Sequence, residues 1–276
     1  MKSRNFIVYG FLSLLALVIA YPIVWLFFSS FKESSEIFTS IRLLPEQWIV
    51  SGYAEGWRST SQYPFTLFLT NSLKLVVPTV LMTCVSSCLV AYGFTRFTFP
   101  MKKFWFAVMI STMMLPNTIL VIPRYILFNH FDALNSYRPF YLLAIFAANP
   151  FFSFLLVQFF RGIPRELDEA ATIDGCTRLG ILARVILPLA VTPLITVALF
   201  QTMWTWNDFF NPLIYIDSVK LYPISLGLRL AIDADTAVNW SKIIAMTVVS
   251  MLPLILMFLF LQRYFVAGIA TTGLKG

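Results

Sequence analysis

Charge is what this sequence has least of. Asp, Glu, Lys and Arg make up 12% of its 276 residues, about half the share usual in soluble domains. Histidine occurs once, at His130, and cysteine three times, at Cys84, Cys88 and Cys176. A lone histidine gives nucleophile–base chemistry no support, and His130 reads as a plain surface or interfacial residue. No HExxH and no Cys/His cluster is present, so no metal site is expected. The cysteines offer no disulfide framework and read as small apolar filler. The apolar runs carry no chain of acids, as proton-coupled transport often uses, and no arginine-rich voltage sensor. A K⁺-filter sequence is missing, as are the short alternating segments of a β-barrel. A nucleotide-binding loop is missing too. The nearest approach, Gly175-Cys176-Thr177-Arg178-Leu179-Gly180, lacks the Lys that reaches phosphate and the Ser/Thr that holds magnesium. The chain is therefore not expected to be an enzyme. If ATP drives it, another subunit binds the ATP.

What the sequence has instead is apolar length. Hydrophobic residues make up 59% of the chain, 28 of them Phe. Six segments read as membrane spans: 6–28, 67–92, 104–123, 139–160, 185–207 and 243–262. Each is close to or above the ~20 residues that cross a hydrocarbon core. Backbone groups in lipid must be satisfied internally, so the expected fold is all-α, a polytopic bundle of six transmembrane helices in one domain, 1–276. The first span is longer than a signal-peptide core and lacks a small-x-small cleavage site, so it reads as a retained anchor. Basic residues orient the bundle. One alternating set of loops, with both termini, holds 11 Lys/Arg in 54 residues, and the other holds 8 in 88. The denser set is placed in the cytoplasm, giving a multi-pass protein of the cell membrane with both termini inside. The net charge of +7 is then a property of that face, in contact with membrane lipid, and implies no nucleic-acid partner.

Within the spans, proline recurs, at Pro22, Pro78, Pro116, Pro123, Pro150, Pro188, Pro193 and Pro253. Each interior proline removes a backbone hydrogen bond and favours a kink. Two readings fit: ordinary membrane-helix composition, or a bundle lining a path that opens and closes. Lys74 is the only charged residue in the six segments. It marks a pathway, or snorkels to the interface on its four-carbon stem. Trp204, Trp206, Phe209, Phe210 and Tyr215, with Asn207 and Asp208 beside them, offer the flat faces and hydrogen-bonding groups that small-molecule sites use. They suit an interfacial aromatic belt equally well. Lys74, Trp204, Asn207 and Asp208 are the candidates for a substrate pathway.

The densest charge lies in the loop 161–184, with five charged residues between Arg161 and Glu169. Pro164 suits a helix start, and Glu166, Asp168 and Glu169 complement the dipole of its first turns. Leu167, Ala170, Ala171 and Asp174 fall at helical spacing. Gly175 ends the helix cheaply in a left-handed conformation, and Thr177 caps a second helix that enters the fifth span. The product is a short helix, a tight turn and a second helix at the inner membrane surface. It either joins two spans or docks a cytoplasmic partner.

Glu169-Ala170-Ala171, three residues, Gly175, nine residues, then Val185-Ile186-Leu187-Pro188 resembles the EAA signature, EAAx₃Gx₉IxLP. That signature belongs to membrane subunits of ATP-binding-cassette importers. Only Val185 departs, by one methylene. WNDFFNPLIY at Trp206–Tyr215 and the tail RYFVAGIATTGLKG are similar to carbohydrate permeases, and the chain resembles the shorter subunit of the maltose-transporter type. The resemblance implies a type I importer fold in which a coupling helix carries Glu169, Ala170, Ala171, Asp174 and Gly175, with Leu187 and Pro188 closing the motif. It implies that two cytoplasmic subunits bind ATP and Mg, that a second homologous permease completes the pore, and that an extracytoplasmic sugar-binding protein delivers cargo. The loop 218–239 would reach the binding protein, and the tail 271–276 the ATPase. The cargo implied is a carbohydrate, with an oligosaccharide expected. An importer of another solute is the close alternative. A stand-alone secondary transporter would need internal repeats and a coupling-ion site, which the sequence does not display. A membrane scaffold with no transport role would leave uptake intact when deleted.

Overall fold

The computed structural model describes residues 2–58, 62–233 and 238–272, and all regular elements among them are helices. Residues 273–276 of the tail and 234–237 of the 218–239 loop lie outside the described residues. The principal helices are α1 (Lys2–Ser29), α2 (Ser51–Arg58), α3 (Phe65–Arg96), α4 (Lys102–Thr112), α5 (Asn117–His130), α6 (Arg138–Ile145) and α7 (Pro150–Arg161). They continue as α8 (Glu166–Ile173), α9 (Arg178–Leu189), α10 (Val191–Asn207), α11 (Phe210–Tyr215), α12 (Ile224–Asp233) and α13 (Trp240–Thr272).

Among the described residues, four stretches are long and apolar enough to cross a membrane: Val8–Ser29, Phe65–Arg96, Arg138–Arg161 and Trp240–Arg263. The other two expected spans are bent pairs. α4 and α5 turn through 103°, and α9 and α10 through 80°. Counted as one span each, they bring the number to six. The first bend has a local cause. Met113, Met114 and Leu115 donate their N–H groups three residues back, to Ile110, Ser111 and Thr112, which tightens and ends α4. Pro116 has no N–H to continue the ladder and sits extended, at ψ 135°. At the second bend, the Ala190 N–H is shared between the Ile186 and Leu187 carbonyls, and Pro188 and Pro193 stand on either side.

The contacts fall into two units, Met1–Leu69 with Leu226–Pro253, and Thr70–Ser225 with Leu254–Gly276. In the first, Lys32 is wholly buried and donates to the Arg42 carbonyl, with Glu36 3.9 Å away. Such a burial needs these partners, because an unpaired ammonium is expensive away from water. The Phe31 ring meets Phe27, Trp48 and Tyr53, and Ser34 accepts the first N–H of α13 at 2.9 Å. Gly227 lies so close to the Phe68 ring that a Cβ would stand 2.5 Å from its Cγ.

The second unit carries the features that bear on function. Small residues let its helices approach: Ala91 is fully buried in α3, and the Ser86 hydroxyl donates to the Ala144 carbonyl at 2.6 Å. One core runs from Cys88, Ala91 and Tyr92 through Phe152, Leu156 and Phe160 to Ala171, Leu182 and Ile186. A second gathers Leu75, Phe128, Phe140, Tyr215 and Ile216. Beside it, the segment 216–224 is stapled down by side chains. Asn71 donates to the Lys220 and Tyr222 carbonyls, Ser72 accepts from the Ile224 N–H, and Tyr137 donates to the Leu221 carbonyl.

Candidate functional site: coupling hairpin and cavity

The EAA spacing becomes geometry in α8 and α9. The three acids Glu166, Asp168 and Glu169 fill the first turn of α8, where the helix dipole favours negative charge. At the other end Gly175 adopts φ +79°. Its N–H donates to the Thr172 carbonyl at 3.0 Å, and the Cys176 N–H reaches back to the Ala171 carbonyl at 2.9 Å. This is a complete Schellman ending, with Cys176 and Ala171 in one apolar core. Three residues between Ala171 and Gly175 are the distance this closure requires. Two residues beyond Gly175, the Thr177 hydroxyl accepts the Gly180 N–H at 3.2 Å and caps α9.

The remainder of the motif concerns Pro188. Proline cannot donate and crowds the carbonyl four residues back. Here the preceding turn, Leu182–Ile186, is wound as a π-helix, and the Leu187 N–H bonds the Leu182 carbonyl. A π-turn of this kind takes up the mismatch within a continuing helix. Leu187 is half-buried against the apolar core and Pro188 is exposed.

The hairpin has an inner and an outer side. Ala171 packs inward, while Glu169, Ala170, Asp174 and Gly175 are exposed. Around them Leu167, Ile173 and Leu179 show apolar surface, and Ile173 is 86% exposed. The stripe read from helical spacing is thus split, with Ala171 holding the hairpin to the bundle and Ala170 left on the open face.

A residue that sequence reasoning passed over fixes the inner side. Arg96, the last residue of α3, forms an ion pair with Asp168, and its side chain is only 7% exposed. The same guanidinium donates to the Phe160 and Ile163 carbonyls at 3.2 and 3.1 Å. Arg165 returns the connection by donating to the Thr95 carbonyl at 3.1 Å. The Tyr92 hydroxyl donates to the Arg178 carbonyl at 2.8 Å, and the Arg178 guanidinium stacks over Phe97. The start of α8, the start of α9 and the ends of α3 and α7 are joined in this way.

The other end of α7 leads to a cavity of about 830 Å³. Asn149 caps α7 by accepting the Phe151 N–H, and Pro150 fills the first turn. The aromatic wall is Phe140, Phe151, Trp204 and Tyr215, with Trp204 4.9 Å from the Phe152 ring behind it. Thr79, Thr83, Asn149, Gln201, Asn207 and Asp208 supply hydrogen-bonding groups. Trp204, Asn207 and Asp208 are therefore brought together. Lys74 is not among the lining residues; it is exposed on α3, and its carbonyl accepts from the Tyr141 hydroxyl at 2.6 Å. Among the described residues Asp208 is the only acid lining the cavity, and its oxygens accept from the backbone and side-chain nitrogens of Asn211 at 3.1 and 2.8 Å. Burial pushes its carboxyl above the ordinary range, and these bonds pull it partly back.

Arg124 is the only basic residue lining the cavity among the described residues. The sequence reading placed it at the start of an outer loop. Its signal was visible: it is a single cation between the apolar runs ILVIP and YILF, inside what proves to be α5.

Comparison with known proteins agrees with this architecture. The chain is 33% identical, over 98% of its length and 88% of the other's, to the probable ABC transporter permease protein YurM of Bacillus subtilis (strain 168). It is 30% identical, over 95% and 93%, to the arabinooligosaccharides transport system permease protein AraQ of Halalkalibacterium halodurans. A solved bacterial ABC transporter involved in import of the acidic polysaccharide alginate shares its fold, with TM-score 0.83 at 22% identity over 96% and 97% of the two chains. The family model for binding-protein-dependent transport system inner membrane components matches residues 84–271, and the chain belongs to that family of multi-pass membrane permeases.

Proposed function

We propose that this chain forms half of a translocation path for a carbohydrate, an oligosaccharide in particular, and moves it by alternating access driven from outside the chain. The observation that carries this reading is the presence, in one packed unit, of both a polar-aromatic cavity and the EAA hairpin. α7 runs between them, with Phe151 and Phe152 at the cavity end and Phe160 in the core beneath Ala171. The relative named for arabinooligosaccharide transport supports the cargo class.

In this reading Glu169, Ala170, Asp174 and Gly175 present the docking face to a cytoplasmic ATPase subunit, one of two, which bind ATP and Mg. The exposed Ile173 side chain enters a cleft there, as a short helix lays apolar anchors into a groove. Ala171, Leu187 and Pro188 transmit the push into the bundle. Both termini lie in the cytoplasm. A second homologous permease closes the cavity, and an extracytoplasmic sugar-binding protein docks at the opposite mouth. Trp204 stacks on a sugar face, while Asn207 and Asp208 face its hydroxyls. Lys74, outside the cavity, is assigned to the lipid interface. Gly175–Gly180 is a helix–helix turn in which the N–H groups of Gly175, Cys176 and Gly180 are bonded within the hairpin.

The test is ATP hydrolysis by the reconstituted complex, stimulated by its binding protein across a substrate panel. Stimulation by saccharides is expected. Stimulation by an amino acid or inorganic phosphate alone would move the chain to the other-solute alternative.

A further inference from the structure

The cavity contains two hydrogen-bond donors with nothing to donate to. Arg124 is half-buried on α5, and its side chain forms no ion pair or hydrogen bond among the described residues. Tyr215 is 1% exposed, and its phenol has no hydrogen-bond partner among them. Both line the same space. They also feel each other: burial pushes the Tyr215 phenol up, the Arg124 guanidinium pulls it back, and Asp208 adds to the rise. Among the described residues no ion pair joins Asp208 to Arg124, and Asn211 bonds both Asp208 oxygens.

A cation inside a membrane bundle is costly unless something pairs with it. A sugar hydroxyl would accept one hydrogen bond and leave the charge unbalanced. An oxyanion accepts two N–H groups from the guanidinium fork and cancels the charge. The phenol adds a third donor. Trp204, on the same cavity, offers an apolar face to the ring that bears the acidic group.

We propose that Arg124, together with Tyr215, is a specificity-determining site for an acidic group on the transported saccharide, either a uronate carboxylate or a phosphate ester. This rests on the carbohydrate reading above. It names this chain's own cavity, alongside the binding protein, as a filter for charge.

The experiment uses the full complex with its partner permease, ATPases and binding protein in liposomes. Uptake is compared for oligogalacturonates, the corresponding neutral oligosaccharides, a sugar phosphate and glycerol phosphate. Wild type is expected to move acidic saccharides. R124Q is expected to lower their kcat/KM by about tenfold or more, with neutral probes changed less than about twofold. R124K, which keeps the charge, should recover part of the loss, and Y215F should show a smaller loss of the same selectivity. The uronate and phosphate arms say which oxyanion the site takes. Equal losses on acidic and neutral probes in both Arg124 variants would overturn the assignment by showing a structural role. So would uptake of neutral saccharides alone, indifferent to R124Q, which leaves the carbohydrate reading standing. Restoration of R124Q by neutralising an acid of the second permease would also overturn it, since the charge would then be paired across the interface. Arg124-dependent uptake of glycerol phosphate with no saccharide moved would keep the site and sink the carbohydrate reading.

Discussion

Replacing Arg96 by Met keeps the length of the side chain and removes everything it ties together. Three things are lost at once: the ion pair to Asp168 and the bonds to the Phe160 and Ile163 carbonyls. Removing one member of a buried pair costs about 3–5 kcal/mol, because the other charge is left unpaired. Asp168 is 18% exposed, so water can partly take over, and the low end, about 3 kcal/mol, is expected. Asp168→Asn leaves Arg96 its two carbonyls and should cost less, about 1–2 kcal/mol. The double variant should therefore be less destabilised than the two singles summed, by about 1–2 kcal/mol. Lys at position 96 keeps the charge but lacks the planar fork, so it should recover only part of the loss. Unfolding of the detergent-solubilised complex supplies the energies, and ATP hydrolysed per sugar moved supplies the functional consequence. Arg96→Met should raise that ratio as α8 loses its ion pair to α3 and keeps only the Arg165–Thr95 bond. Wild-type stability together with additive single effects would refute the idea that this clasp holds the hairpin.

Gly175→Ala should destabilise by about 1–2 kcal/mol, the usual cost of a left-handed residue. A Cβ there meets nothing within 4 Å, so coupling should survive. Gly175→Pro also removes the N–H bonded to Thr172; paired ATPase and uptake assays should show hydrolysis without transport. Gly227→Ala forces a Cβ against the fully buried Phe68 ring and should lose about 1–3 kcal/mol of stability by thermal unfolding. Gly56→Ala would place a Cβ 2.6 Å from the Met246 Cγ, near the base of a fully buried side chain, and should lose about 1–3 kcal/mol in the same measurement. Trp204→Ala removes a stacking face from the cavity and should raise the half-saturating substrate concentration for uptake about tenfold, near 1.4 kcal/mol.

The hairpin was legible because its signals are local. Acids at a helix start, Gly175 at a left-handed position and Thr177 as a cap each act within a few residues of themselves; the π-turn before Pro188 carried no such signal. Helix length was legible for the same reason, from apolar runs. Two things were not. The prolines announced kinks, yet neither the 103° nor the 80° turn follows from a missing hydrogen bond alone. The direction of a bend is set by what packs around it. The cavity is assembled from side chains on α3, α4, α5, α6, α7, α10 and α11, and no periodicity within one segment reveals which residues from seven will converge. Arg124 was counted as a loop residue because a charge after proline looks like the end of a span. Arg96 was counted as one more basic residue of an inner loop, since its partner Asp168 lies far along the chain. Lys74 drew notice as the one charge within a run, and the structure puts it outside the cavity.

The central claim is that this chain carries a saccharide across the membrane with energy supplied through its α8–α9 hairpin. Its most direct test is uptake of labelled saccharide by liposomes holding the full complex, with the cognate binding protein outside and ATP trapped inside. Uptake that requires both ATP and binding protein, and that Gly175→Pro abolishes while hydrolysis continues, is the predicted result. Uptake by the isolated chain on an ion gradient without ATP, or full ATP-driven uptake by the Gly175→Pro complex, would contradict it.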